Sequence, residues 1–75
     1  MNARTIQRLE RDIREQEDLL SYLVWEFNYY KSQMKKAMKA NDLESKKYYF
    51  RLKISASQQK REVQAKLKSL YQVGD

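Results

Sequence analysis

Apolar residues recur along the first half of the chain with the alternating three- and four-residue spacing of a heptad repeat. The positions are Ile6, Leu9, Ile13, Leu20, Leu23, Phe27, Tyr30, Met34 and Ala37, with a polar interruption at Gln16. This spacing places the apolar side chains on one face of a helix. The pattern predicts a long first helix, over about residues 3 to 39, that buries this face against another helix.

A second apolar pattern follows, one residue out of phase with the first. Its positions are Tyr49, Leu52, Ala56, Gln59, Val63, Leu67 and Leu70. Between the two patterns, Asn41 and Glu44 have the spacing of a capping box, and Asp42 is an alternative N-cap. We therefore predict a turn at about residues 40 to 42 and a second helix over about residues 43 to 72.

Two arrangements of these helices are open: a hairpin, or one continuous helix of roughly 100 Å with a skip residue near Asn41. If the chain reverses near Asn41, the two apolar faces meet as the seam of the hairpin, where Phe27 lies opposite Ala56. A large residue facing a small one is typical of interdigitating cores and favours the hairpin. The predicted fold class is therefore all-α, a single domain over residues 1 to 75 forming an antiparallel, coiled-coil-like hairpin.

The composition narrows the chemistry available to the chain. It contains no proline and one glycine, Gly74, which agrees with an almost entirely helical fold. It also contains no cysteine and no histidine, so disulfides, thiolate chemistry, typical zinc sites and the usual neutral-pH general base are excluded. We predict no catalytic residues, no metal site, no cofactor and no enzymatic activity.

One segment has a counterpart in an enzyme family. The run LERDIREQEDLLSYLV, residues 9 to 24, resembles the first helix of small all-helical chorismate mutases in the placement of its apolar residues. That resemblance implies an anion-binding arginine just after the first leucine, where this chain has Glu10. A carboxylate at that position would repel a dicarboxylate substrate, so the prediction remains a protein without enzymatic activity.

Several large apolar residues fall outside the seam. Tyr22, Trp25 and Tyr29 lie on the opposite face of the first helix and are called here the aromatic row. Leu19 borders the seam, and Phe50 and Ile54 lie off the seam of the second helix. A chain of this size buries only about 60% of its unfolded surface. We therefore expect these six residues to form either the core of a four-helix bundle made by two hairpins or a docking surface for another protein.

Positive charge is concentrated around the predicted turn. Residues 31 to 53 contain eight basic residues against Asp42 and Glu44, whereas the whole chain has a net charge of +6. The eight, called here the basic turn, are Lys31, Lys35, Lys36, Lys39, Lys46, Lys47, Arg51 and Lys53. Lysines beside aromatics are typical of proteins that bind single-stranded nucleic acid. The other interpretations are a solvated face and a surface that attracts an acidic protein.

The sequence also bears on location and on the class of function. The first residues, MNARTIQRLERD, are polar where a signal peptide needs an apolar region, and no apolar run approaches 18 residues. We expect a cytoplasmic protein, or a viral protein acting in the host cytoplasm, that does not bind a membrane. The predicted function is that of an accessory regulator, inhibitor or assembly factor that dimerises and binds an acidic protein partner. The alternative is a nucleic-acid-binding protein without sequence preference.

Overall fold

Two α-helices packed side by side make up the fold. The computed structural model describes residues 2–73, with α1 over Ala3–Lys39 and α2 over Leu43–Val73. These residues form a rod 58 Å long and 14 by 13 Å across, whereas one continuous helix would extend to roughly 100 Å. The predicted antiparallel hairpin is therefore confirmed. Met1, Gly74 and Asp75 of the predicted single domain lie outside the described residues.

The chain reverses at Ala40, Asn41 and Asp42. Asn41 has a φ of 55°, in the left-handed region that asparagine enters more easily than most residues with a side chain. The amide of Asn41 donates to the carbonyl of Met38 at 3.2 Å, and the amide of Asp42 donates to the carbonyl of Ala37 at 2.8 Å. This pair of bonds is the Schellman motif, which ends α1 without a glycine.

Asp42 then begins α2. Its carboxylate accepts a hydrogen bond from the Ser45 amide at 3.1 Å and another from the Ser45 hydroxyl at 2.6 Å. These hydrogen bonds lower the pKa of the Asp42 carboxyl below 3.8. Asp42 is thus the N-cap, and Asn41 ends α1, because an N-cap needs extended backbone that a left-handed Asn41 does not have.

The core of the hairpin is small and lies entirely in the predicted seam. The buried residues are Leu23, Ala37, Ala56, Val63 and Leu67. Leu23, Val63 and Leu67 form one cluster, against which the half-buried Ile13 and Leu20 pack. Ile6 continues the seam pattern but is 44% exposed. Because α1 has 37 residues and α2 has 31, the first turns of α1 lie beyond the end of α2 and face no partner helix.

The hairpin exposes more surface than a compact protein of its mass. Its accessible surface is 6168 Å², against about 4,900 Å² for a compact monomer of 9.1 kDa. The difference arises because each helix has only one neighbour and buries only one face. Each helix therefore keeps most of its circumference accessible to other molecules.

Candidate interaction surface

The aromatic row lies on the outer face of α1 and is accessible along its whole length. Tyr22, Trp25 and Tyr29 are 56%, 61% and 43% exposed. Their rings stack on one another, with centroids 6.4 Å apart for Tyr22 and Trp25 and 5.4 Å apart for Trp25 and Tyr29. Stacking of this kind orders the side chains before any partner arrives. The row is therefore a preorganised apolar surface with polar hydroxyls at both ends.

Ring contacts continue from the aromatic row across the seam to α2. Tyr29 meets Tyr30 edge to face at 5.8 Å, Tyr30 lies 6.3 Å from Tyr49, and Tyr49 meets Tyr48 edge to face at 5.2 Å. Sequence analysis assigned Tyr30 and Tyr49 to the seam but did not predict this link. The sequence contained a sign of this link, because Tyr29 and Tyr30 are adjacent and so are Tyr48 and Tyr49. In each pair one tyrosine lies in the seam and the other lies outside it.

Tyr30 is held in place by a carboxylate on its own helix. Its hydroxyl donates a hydrogen bond of 2.7 Å to Glu26, one turn earlier. This bond, with partial desolvation and the negative charge of Glu26, raises the pKa of Tyr30 from 10.0 to about 12. The bond fixes the ring that connects the aromatic row to α2.

We expect Glu26→Gln to lower the pKa of Tyr30 from about 12 towards 10.0. The amide still accepts a hydrogen bond, but it carries no negative charge to oppose the phenolate. Because the folded-state pKa is raised, the bond stabilises the hairpin fully below about pH 10 and loses this effect as the pH rises through about 12. Ultraviolet titration of the phenolates measures the shift.

Glu10→Gln is the matched control for this titration, since Glu10 is an exposed carboxylate on the same helix. It should leave the Tyr30 transition unchanged. Circular dichroism over the same pH range separates titration from unfolding. Persistence of the Tyr30 transition near pH 12 in Glu26→Gln would contradict the assigned hydrogen bond.

The other predicted interface residues are exposed, and the one aromatic residue among them makes no ring contact with the aromatic row. Leu19, Phe50 and Ile54 are 41%, 47% and 41% exposed. Among residues 2–73, no ring contact joins Phe50 to the aromatic row. The Phe50 ring instead lies 5.6 Å from the ammonium of Lys53, which is also 5.8 Å from the ring of Phe27. The interface role expected for Leu19, Phe50 and Ile54 stays a prediction.

The basic turn gathers cations from both helices at one end of the rod. Six of its members are exposed, and Lys46 and Lys53 are half-buried. Lys46, Lys47, Phe50 and Arg51 line a surface groove of about 410 Å³. Lys53 differs from the others because its ammonium lies over Phe27 and Phe50, an arrangement that favours a cation at the ring face. Lys53 is therefore the member least available to an external anion.

Sequence analysis did not predict a second groove near the open end of the hairpin. It has a volume of about 360 Å³ and lies between Leu20 of α1 and residues of α2 that include Leu67 and Tyr71. Partial desolvation and the carboxylate of Glu17 raise the pKa of Tyr71. After Leu67 the apolar pattern of α2 contains one further position, Leu70, and this gave no sign of a groove.

Two further observations concern chemistry and membranes. Over residues 2–73, no group of three or more acidic side chains is placed to hold a metal ion. In the same stretch, neither helix contains a segment of sufficient length and apolarity to cross a bilayer.

No model of a protein family, no curated protein and no solved structure matches this chain.

Proposed function

We propose that this chain is a small interaction protein without enzymatic activity, which self-associates as a four-helix bundle and binds a macromolecular partner. The observation that carries the proposal is the aromatic row, three stacked rings held exposed on the outer face of α1. Tryptophan and tyrosine are the residues most enriched at the energetic centres of protein interfaces. Ordered rings also lose little side-chain entropy when a partner covers them.

The surface area supports self-association. The hairpin exposes about 1,300 Å² more than a compact monomer of its mass would. A standard interface buries about 800 Å² on each partner, so the outer faces offer enough surface for a stable dimer. Two hairpins joined in this way form a bundle of four helices.

The basic turn supports the choice of partner. Eight cations at one end of the rod produce a local positive field that steers negatively charged surfaces towards that end. An acidic protein is therefore the partner proposed, in the cytoplasm of the cell or of a host. The role is that of a regulator, inhibitor or assembly factor, which acts by covering a partner's surface.

Molar mass in solution tests the proposed self-association. Sedimentation equilibrium over a range of concentrations should give twice the monomer mass of 9.1 kDa at high concentration. Dilution should return the monomer, since dimers dissociate by mass action. A mass of 9.1 kDa at every concentration would reject self-association.

Nucleic acid is the second candidate partner, and one observation favours it. Tyr48 and Tyr49 are in edge-to-face contact beside the groove that Lys46, Lys47 and Arg51 line. Tyr48 is 60% exposed, so its ring is accessible to an unpaired base. Bases stack on such rings while neighbouring cations neutralise phosphates, with little dependence on sequence.

A further inference from the structure

A line of exposed residues runs along α1, and its charge changes sign from one end to the other. Two such lines placed antiparallel therefore bring opposite charges together. The members of the line alternate by three and four residues and include the aromatic row. In order they are Glu15, Asp18, Tyr22, Trp25, Tyr29, Ser32, Lys36 and Lys39, and all are exposed. Acidic residues occupy the first end, aromatic residues the middle and lysines the last end. We call these eight residues the outer heptad line.

We propose that a second copy of the chain packs antiparallel on the outer heptad line, with Trp25 of each copy against Tyr29 of the other. This inference rests on the proposed self-association and adds its orientation and register. A two-fold axis at the level of Phe27 brings Trp25 and Tyr29 together in each half of the interface. The same axis places Tyr22 opposite Ser32.

The charges at both ends of the line then become complementary. In this register Asp18 of one copy faces Lys36 of the other, and Glu15 faces Lys39. Each pair occurs twice, because residues across a two-fold interface exchange their roles. The exposed aromatics are covered at the centre, and the charges form a polar rim at the ends, as is usual in protein interfaces.

The parallel dimer and the neighbouring antiparallel registers lack this charge complementarity. In a parallel dimer each residue faces itself, so that Asp18 meets Asp18 and Lys36 meets Lys36. An antiparallel dimer shifted by one heptad towards the start of α1 places Arg11 opposite Lys36 and Arg8 opposite Lys39. Like charges across an interface disfavour the wrong arrangement strongly. A shift of one heptad towards the end of α1 instead places Lys36 opposite Trp25 and Lys39 opposite Tyr22, so that the acidic end of the line has no lysines opposite it. Of these arrangements, the proposed one alone pairs the acidic end with the lysines.

This register also fixes the order of the four helices. The outer heptad line lies on the side of α1 away from the seam, where Leu23 and Ala37 are buried against α2. The two α1 helices consequently form the inner pair, and the two α2 helices lie outside them. The four helices then lie side by side in one layer, so this register replaces the common core of the proposed bundle with a flat assembly. The basic turns lie on opposite sides of the two-fold axis, each beside Glu15 and Asp18 of the other copy.

Disulfide trapping tests the register directly, because the chain contains no cysteine of its own. Chains with Tyr22→Cys and chains with Ser32→Cys are mixed at equal concentration and oxidised mildly. The proposed register predicts mainly the mixed disulfide between the two variants, since positions 22 and 32 are opposed. Disulfides mainly between identical variants would overturn it, because a parallel dimer opposes each position to itself.

Charge reversal supplies the second measurement. Lys36→Glu with Lys39→Glu should weaken the dimer on the order of 100-fold, because each of the four opposed pairs at the ends of the interface then consists of two acidic residues. Adding Glu15→Lys and Asp18→Lys to the same chain should restore the wild-type affinity. The matched control, Lys31→Glu with Lys35→Glu, makes the same change of charge off the line and should leave the dimer intact.

The outcomes separate this inference from the proposed function. A dimer that forms identical-variant disulfides, or that is not restored by the four-residue reversal, overturns the register while self-association stands. A chain that is monomeric at every concentration overturns both. A mixed disulfide together with restored affinity supports both.

Discussion

Trp25→Ala is expected to weaken the dimer about 10³-fold while leaving both helices intact. The indole is 61% exposed in the hairpin and, among residues 2–73, stacks only on Tyr22 and Tyr29, so its loss leaves no cavity in the seam. In the dimer the residue is removed from both sides of the interface. Truncation of a central aromatic anchor costs about 2 kcal/mol or more, and two such losses give the expected factor.

Tyr48→Ala is the matched control, because Tyr48 is 60% exposed and therefore as accessible as Trp25. It lies on α2, away from the outer heptad line, and the variant should remain dimeric. Sedimentation equilibrium measures the dissociation constant of each variant, and circular dichroism measures the helix content. A Trp25→Ala protein that dimerises as tightly as the wild type would remove the aromatic row from the interface.

Neutralising the groove of the basic turn should nearly abolish binding of single-stranded oligonucleotides, if nucleic acid is the partner. The variant replaces the groove residues Lys46, Lys47 and Arg51 with glutamine, together with Lys35 of the basic turn. All four lie outside the outer heptad line. Losing four phosphate contacts reduces the slope of log affinity against log salt by about 3. At about 0.1 M salt the affinity should fall on the order of 10²- to 10³-fold.

The control variant removes four exposed cations elsewhere, by changing Arg8, Arg61, Lys66 and Lys68 to glutamine. It has the same net charge as the test variant, so a general field effect would weaken both proteins equally. Fluorescence anisotropy of a labelled oligonucleotide at several salt concentrations measures both effects. Equal binding by the two variants would refute the groove as a nucleic-acid site and leave an acidic protein as its partner.

The hairpin was predictable because the signals of the turn are local and the two apolar patterns are long enough to be aligned with each other. The change of heptad phase before Tyr49 and the polar residues at Asn41 and Asp42 predicted where the chain reverses. The position of the large Phe27 opposite the small Ala56 favoured a close antiparallel pair of helices. All of these signals depend on the chain's own residues, and the structure adds only which of the two polar residues ends α1 and which caps α2.

The arrangement of the candidate surface was less predictable. Exposure of Tyr22 and Trp25 followed from their heptad positions, but ring contacts depend on side-chain rotamers, which spacing does not specify. Lys53 is a similar case: the sequence placed it in the basic turn as a candidate for binding polyanions, yet its ammonium lies over Phe27 and Phe50. Long lysine stems follow apolar surfaces while keeping the charge near water. Covering the outer faces of the helices takes a second molecule, and contacts within one chain do not identify it.

The turn at Ala40, Asn41 and Asp42 gives the fold a hinge, in which Asn41 has a left-handed backbone. A residue with a side chain is less stable in the left-handed conformation than in a right-handed helix. If Ala40, Asn41 and Asp42 all became helical, the chain would straighten into a single rod. The seam residues Leu23, Val63 and Leu67 would then be uncovered, and a second straightened chain presents the same residues in the same order. The hinge therefore offers a route for two copies to exchange α2, with every seam contact remade between chains.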